Sequence, residues 1–195
     1  MADKIWLENY PAGIPAEIDA DLFESIPDFL DQLTLRFGDK PAFHNLGHTL
    51  SYAELERLAS DFAAFLQRLP GMSQGDRVAI MAPNILQYPV ALFGILYAGM
   101  IVVNVNPLYT PRELEHQLND SGAKAIVIVE NFASTLEKVL ESTPVRHVVT
   151  TQIGDMLPAP KRWLVNARST SNCWPPNARP HSSRWPTAAR GPRTR

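Results

Sequence analysis

The chain has 195 residues and a formal net charge of −2, from 18 basic and 20 acidic side chains. Six arginines and no acid fall in residues 167–195, so residues 1–166 carry 12 basic and 20 acidic side chains, net −8, which excludes the basic footprint of a nucleic-acid-binding protein. The single cysteine, Cys173, excludes a disulfide framework, and we expect a cytoplasmic protein without a secretory signal.

The first predicted elements are a short helix and a hairpin. Apolar spacing predicts an amphipathic helix over residues 27–37, with Ser25 as its N-cap and Gly38 at its end. Residues 42–44 and 49–52 then flank an Asn-Leu-Gly loop, a pattern typical of a β-hairpin.

A capping box begins the second predicted helix, because Ser51 and Glu54 stand three positions apart before an apolar run. A Pro-Gly pair at 70–71 ends this helix, and residues 77–82 read as a buried strand. The helix carries an apolar face at helical spacing, formed by Leu55, Leu58, Ala59, Phe62, Phe65, Leu66 and Leu69.

The next stretch, residues 90–103, is apolar throughout. A membrane-spanning helix needs about 18 such residues or more, and Gly99 divides this run into a helix-like part and a β-branched part. We therefore predict a buried helix over 85–98, capped by Asn84, followed by a buried strand over 100–103.

Thr110 and Glu113 form a second capping box, with Pro111 at the first helical position and Gly122 as the stop. The alternation of helices and strands predicts an α/β fold, a parallel βαβ sheet flanked by helices. The remaining predicted elements are a strand over 124–129, a helix from Asn131 to about 140 and a strand over 146–150.

The composition changes near Asn166. Residues 167–195 contain no Leu, Ile, Val, Phe, Met, Tyr, acid or lysine, so they offer little apolar surface to offset the entropy of ordering. We predict a patterned domain over 1–166 and a disordered Arg/Pro-rich tail over 167–195, translated out of frame. Shifting the reading frame near the Asn166 codon should restore an apolar-patterned sequence.

The sequence excludes a nucleophile motif by its context and two phosphate-binding motifs by the spacing of its glycines. Residues 71–75 match the G-x-S-x-G pattern around Ser73, but a helix precedes the match and a strand follows it, the reverse of a hydrolase elbow. No two of the ten glycines lie closer than four positions apart, which excludes a dinucleotide fingerprint and a Walker-type loop.

Other polar residues favour structural roles. His44 and His48 flank the hairpin loop and predict polar turn residues rather than a metal site, while His116 lies on a predicted solvated helix face. The loop after residue 103 follows the carboxyl end of a strand, where open α/β sheets bind ligands, so a ligand-contacting role is weighed there against a structural loop. The residues concerned are Asn104, Asn106 and Tyr109.

Four motifs in order resemble the N-terminal part of AMP-forming acyl-CoA synthetases, most closely bacterial long-chain-fatty-acid–CoA ligases. The resemblance implies the first subdomain of the large N-terminal domain of adenylate-forming enzymes. The motifs are Thr-Leu-Ser-Tyr-Ala-Glu-Leu at 49–55, Gly-Asp-Arg-Val-Ala-Ile-Met-Ala-Pro-Asn at 75–84, Ala-Gly at 98–99 and Asn-Pro-Leu-Tyr-Thr-Pro-Arg-Glu-Leu at 106–114.

The resemblance further implies a two-step ligase that uses ATP, Mg, a fatty acid and CoA. The family's phosphate loop ending in Pro-Lys-Gly, its Tyr-x-Thr-Gly-Asp segment, its hinge aspartate and its C-terminal lysine have no matching positions here. We therefore assign no catalytic, cofactor-binding or metal residue, and expect a truncated or misread ligase chain that binds none of these cofactors alone.

The alternative hypothesis is a standalone α/β ligand-binding or interaction module without catalysis. Under the ligase hypothesis, the lobe normally packs against a second subdomain, so we expect its exposed apolar face to drive self-association. The resemblance also implies a cytoplasmic protein with peripheral association at the inner membrane.

Overall fold

The computed structural model describes residues 4–169 and 182–185 of the chain. Helices and strands alternate through most of this range, and short 3-10 turns occupy Ile5–Asn9, Glu130–Phe132 and Leu140–Ser142. The elements in chain order are α1 (Ile26–Phe37), β1 (Pro41–Asn45), β2 (His48–Ser51), α2 (Tyr52–Leu66), β3 (Arg77–Met81), α3 (Gln87–Tyr97), β4 (Ile101–Asn104), α4 (Pro111–Ser121), β5 (Ala125–Val129), α5 (Ala133–Glu137), β6 (His147–Thr151), α6 (Lys161–Ser169) and β7 (Ser182–Arg184).

The strands form two sheets within the described residues. β1 and β2 pair as an antiparallel hairpin, as the loop chemistry predicts. The other strands form a parallel sheet in the order β4-β3-β5-β6-β7, so that β3 pairs with both β4 and β5. The predicted parallel sheet is therefore confirmed.

Helices cover both faces of this sheet, and successive residues of each strand point to opposite faces. In β3, Val78 and Ile80 join the apolar cluster that contains α1, α2 and α3. Ala79 and Met81 alternate with them and join a second cluster with Leu114 and other side chains of α4 and α5. The near-continuous apolar strands of the sequence are thus explained by burial on both faces.

Both capping boxes form as predicted. The Ser51 hydroxyl accepts the Glu54 N–H at 3.2 Å, and the Glu54 carboxylate accepts the Ser51 N–H at 2.9 Å. Thr110 and Glu113 repeat this exchange at the start of α4. There the Thr110 hydroxyl and N–H hold the pKa of Glu113 below its ordinary value, the hydroxyl bond contributing most.

Two other predicted caps are wrong. Helix α3 begins at Gln87 rather than after Asn84, and its first turn is fixed by burial of Ile85 and Leu86 instead of by a side-chain cap. Helix α5 begins at Ala133, because a tight 3-10 turn takes the place where Asn131 was expected to cap. In both places tertiary packing overrides the local cap signal.

Part of the segment expected to be disordered is structured. Residues 167–169 lie in α6, β7 pairs in parallel with β6, and Trp185 is buried. The residue composition did not predict this structure, because backbone pairing with β6 and one aromatic ring hold the segment in place. The rest of that predicted tail lies outside the described residues.

The apolar run at 90–103 divides as predicted between α3 and β4. The predicted burial of the strand is wrong, because β4 lies at the edge of the described sheet and its residues are exposed or half-buried. Among the residues that the structure describes, none of the helices combines the length and the apolar character needed to cross a bilayer.

An ion pair links the start of β3 to the start of β5. Lys124 Nζ lies 2.6 Å from Asp76 Oδ1, and the Asp76 side chain is only 14% exposed. The pKa of Asp76 is lowered, chiefly by the hydrogen bond from Lys124 and further by the Ser73 N–H, while burial opposes the shift.

We expect Asp76→Asn to destabilise the protein by about 0.5–1 kcal/mol at neutral pH. Because the folded-state pKa is depressed, the stabilisation is present above the ordinary aspartate pKa and is lost as pH falls through the lowered value. Urea unfolding across this acid range measures the difference between wild type and variant. The stability difference between wild type and Lys124→Met should likewise disappear as pH falls. A difference that is independent of pH would contradict the prediction.

Candidate functional site

Polar side chains collect at the carboxyl edge of the parallel sheet, where ligands bind in open α/β folds. One group follows β4 and the other follows β6. Each group is built from residues of several elements. The chemistry of each group depends on which of its polar atoms are already hydrogen-bonded within the protein.

The group after β4 centres on Asn104. Its Oδ1 accepts a hydrogen bond from the Tyr88 hydroxyl at 3.0 Å, and its backbone carbonyl accepts one from Gln117 Nε2 at 2.8 Å. These bonds join β4 to α3 and α4. The Asn104 side chain therefore connects the strand end to α3, and its backbone carbonyl connects it to α4.

The two other predicted contact residues, Asn106 and Tyr109, lie on the same loop. The Asn106 side chain accepts the Leu108 N–H at 3.0 Å, and the Tyr109 N–H donates to the Asn106 carbonyl at 3.1 Å. The Tyr109 ring is partly buried against the α4 side of the core. The structure places Asn104 at the end of β4 and Asn106 and Tyr109 on the loop that follows. Their observed bonds shape this loop, while a ligand contact stays a prediction.

The group after β6 depends on Gln87, which is only 1% exposed although it lies in the apolar α3 segment. Its Nε2 donates to the Gln152 carbonyl at 2.7 Å and contacts Thr151 Oγ1 and the Ile153 carbonyl at 3.4 Å each. A buried amide is costly when it has no hydrogen-bond partner, and Gln87 finds its partners in the chain segment that leaves the sheet after β6.

Two carboxylates extend this group. Asp155 Oδ2 accepts the Gln152 N–H at 2.8 Å, and Asp155 Oδ1 accepts Asn166 Nδ2 at 3.0 Å. Glu130, buried at the end of β5, accepts Gln152 Nε2 at 2.8 Å. We call Gln87, Glu130, Gln152, Asp155 and Asn166 the carboxyl-edge network.

Sequence reasoning missed the carboxyl-edge network because its members are far apart in the chain. Gln87 and Gln152, for example, are 65 positions apart. The available signal was a lone glutamine inside an apolar helix, which needs a buried partner. In the network each of the two carboxylates accepts from an amide group, so the observed bonds hold the loop after β6 in place.

Replacing Gln87 with methionine conserves volume but removes the amide. We expect a loss of about 1–3 kcal/mol, because the partly buried Gln152 carbonyl loses its closest donor. Chemical denaturation measures this loss. Leu92→Met, a half-buried change on the same helix, is the control and should cost under about 1.5 kcal/mol. Equal losses in the two variants would contradict a specific role for the amide.

Ser73, His44 and His147 take part in hydrogen bonds within the protein. Ser73 lies between α2 and β3 and donates its N–H to Asp76 Oδ2 at 2.9 Å, so the interpretation of residues 71–75 as a loop is confirmed. His44 Nδ1 lies 2.7 Å from Thr49 Oγ1, and His147 Nε2 donates to the Pro70 carbonyl at 2.9 Å. In the described part of the chain, no three His, Cys, Asp or Glu side chains are placed to hold a metal ion.

The chain has relatives among known proteins over most of its length. The family model described as AMP-binding enzyme matches residues 30–189, a range that includes the composition change near residue 166. A long-chain-fatty-acid–CoA ligase of Escherichia coli O157:H7 is 60% identical over 163 residues, and one of Haemophilus influenzae is 56% identical over 164. Each match covers 84% of this chain, and the chain spans 29% of the length of these relatives.

Solved structures show the same fold. A benzoate CoA ligase of Burkholderia xenovorans superposes with a TM-score of 0.60 at 28% identity, over 65% of this chain and 25% of the ligase. A long-chain-fatty-acid–CoA ligase of Archaeoglobus fulgidus superposes with a TM-score of 0.62 at 24% identity, over 81% of this chain and 32% of its own.

Proposed function

The chain belongs to the AMP-binding enzyme family, and from this premise we propose that it forms one lobe of a long-chain fatty acid–CoA ligase. The observation that carries the proposal is 60% identity over 163 residues to a ligase of that name. In the proposed reaction, a fatty-acid carboxylate attacks the α-phosphate of ATP, giving an acyl-adenylate and pyrophosphate. The CoA thiol then attacks the acyl carbon, forming the thioester and releasing AMP.

The proposed role of the chain within this ligase is that of a scaffold. At the carboxyl edge, Asn104 links β4 to two helices, and the carboxyl-edge network fixes the exit from β6. Neither group contains a cationic side chain that could hold a triphosphate. ATP, Mg and CoA therefore belong to the full ligase, and we propose that the 195-residue chain binds and turns over none of them alone.

Fatty-acid-dependent ATP–pyrophosphate exchange is the direct test. The purified chain should show no exchange with palmitate above background, because it carries no phosphate loop or adenylation lysine. Grafting residues 1–166 in place of the matching segment of the E. coli O157:H7 ligase should retain palmitoyl-CoA synthesis within about tenfold of the parent kcat/KM.

A graft carrying Gly94→Val is the matched control, and its activity should fall together with its stability. An inactive graft that nevertheless folds with parental stability would refute the scaffold role. Exchange by the isolated chain would refute its proposed inactivity.

Location and association form part of the same proposal. We propose a cytoplasmic ligase with peripheral contact at the inner membrane, and self-association of the chain through exposed apolar side chains. Leu35 is 88% exposed and Leu108 is 83% exposed, and such groups favour burial when they are contiguous. Sedimentation velocity of the purified chain measures the self-association.

A further inference from the structure

The outer edge of β6 is occupied by a segment from far along the chain. Residues 182–184 pair in parallel with Val148, Val149 and Thr150. The Trp185 N–H then donates to the Thr150 carbonyl at 2.8 Å. This backbone pairing requires no particular side chains from the segment that adds to the sheet.

An aromatic contact anchors the segment at its end. The Trp185 ring stacks on the Phe62 ring with centroids 4.6 Å apart and planes 19° apart. Both residues are buried, at 6% and 1% exposure, in the core cluster that also contains Val149. A buried stacked pair of this kind stabilises beyond its area alone, so that the ring supplies the specificity that the backbone pairing lacks.

The Phe62 ring also packs closely against α3 at Gly94. A Cβ added at Gly94 would lie 2.8 Å from Phe62 Cδ1 and 2.9 Å from the Ala59 carbonyl oxygen. The helices α2 and α3 therefore meet with Phe62 in the space that a side chain at position 94 would fill. The Phe62 ring is therefore held in position for contact with a residue next to the outer edge of β6.

We propose that the β6 edge and the Phe62 ring form a strand-binding site for an extended segment with an aromatic residue directly after its paired strand. Residues 182–185 are its occupant, bound within the same chain. An unpaired sheet edge is a template for pairing with other chains, and this segment covers that edge. The site thus shields β6 as well as adding an anchor to the core, and this role is independent of the ligase proposal.

Trp185→Ala in the full chain tests the anchor. Hydrogen exchange of the β6 amides should become about tenfold faster or more, because the pairing loses the stacked ring. Trp185→Phe keeps an aromatic ring and should stay within about threefold of wild type. Trp163→Ala removes a tryptophan that is 64% exposed and should change nothing in β6.

A synthetic peptide of residues 181–187 tests the site itself. Added in excess, it should restore β6 protection in the Trp185→Ala chain, and the same peptide with alanine at position 185 should not. The site is overturned if Trp185→Ala leaves β6 exchange unchanged, or if both peptides act alike. Occupancy within one chain is overturned if wild-type β6 protection falls on about a hundredfold dilution, since only pairing between chains depends on concentration.

Discussion

Gly94→Val should destabilise the lobe by about 3 kcal/mol. The α2–α3 contact leaves no room, because a Cβ at this position would lie 2.8 Å from Phe62 Cδ1 and 2.9 Å from the backbone oxygen of Ala59. The ring could shift only by breaking its other contacts in the core, and the carbonyl belongs to a helix backbone. Chemical denaturation of the purified chain measures the loss.

Gly94→Ala separates steric crowding from helix propensity. Alanine is favoured over glycine inside a helix by about 0.5–1 kcal/mol, whereas overpacking costs about 1–3 kcal/mol. The net effect at position 94 should therefore be destabilising but smaller than that of valine. An alanine variant more stable than wild type would show that α3 moves away from α2 at little cost.

Phe62→Ala should have the largest effect, a loss of about 3–5 kcal/mol. Phe62 is fully buried, stacks on Trp185, and contacts Phe65 with ring centroids 5.9 Å apart. Removing its ring opens a cavity between α2, α3 and the sheet. A loss of this size is a large fraction of the stability of an ordinary domain, about 5–15 kcal/mol, and thermal or denaturant unfolding would detect it readily.

A double-mutant cycle with Trp185→Ala isolates the stacked pair. The two substitutions should be non-additive by about 0.5–1.5 kcal/mol, the contribution expected of an aromatic pair beyond area burial. Additive losses would mean that the two rings are buried independently. As a control, Phe65→Ala removes a half-buried neighbouring ring and should cost less stability than Phe62→Ala.

Much of the fold was predictable because its signals are local. A capping box spans four residues, so that Ser51 and Thr110 mark their helices without knowledge of the rest of the chain. Buried parallel strands are continuous apolar runs, so β3 and β5 could be recognised from the sequence. Sequence alternation then predicted the parallel arrangement.

The features that sequence did not predict depend on distant partners. Asn84 has a side chain suited to an N-cap, yet its carbonyl accepts a hydrogen bond from Asn45 and the helix starts three residues later. The carboxyl-edge network joins Gln87 to the loop after β6. β7 pairs with β6, and Trp185 directly after it stacks on Phe62. In the candidate site, the sequence identified Asn104, Asn106 and Tyr109 but not these long-range bonds.

The strand order β4-β3-β5-β6-β7 has a consequence for how the chain can fold during its own synthesis. After β3, each strand in turn joins an edge that is already exposed, first β4 on one side and then β5, β6 and β7 on the other. Among the strands of the described residues, none must be inserted between two that have already paired. A nascent chain emerging at about 5–20 residues per second can therefore extend the sheet strand by strand, without opening what it has built.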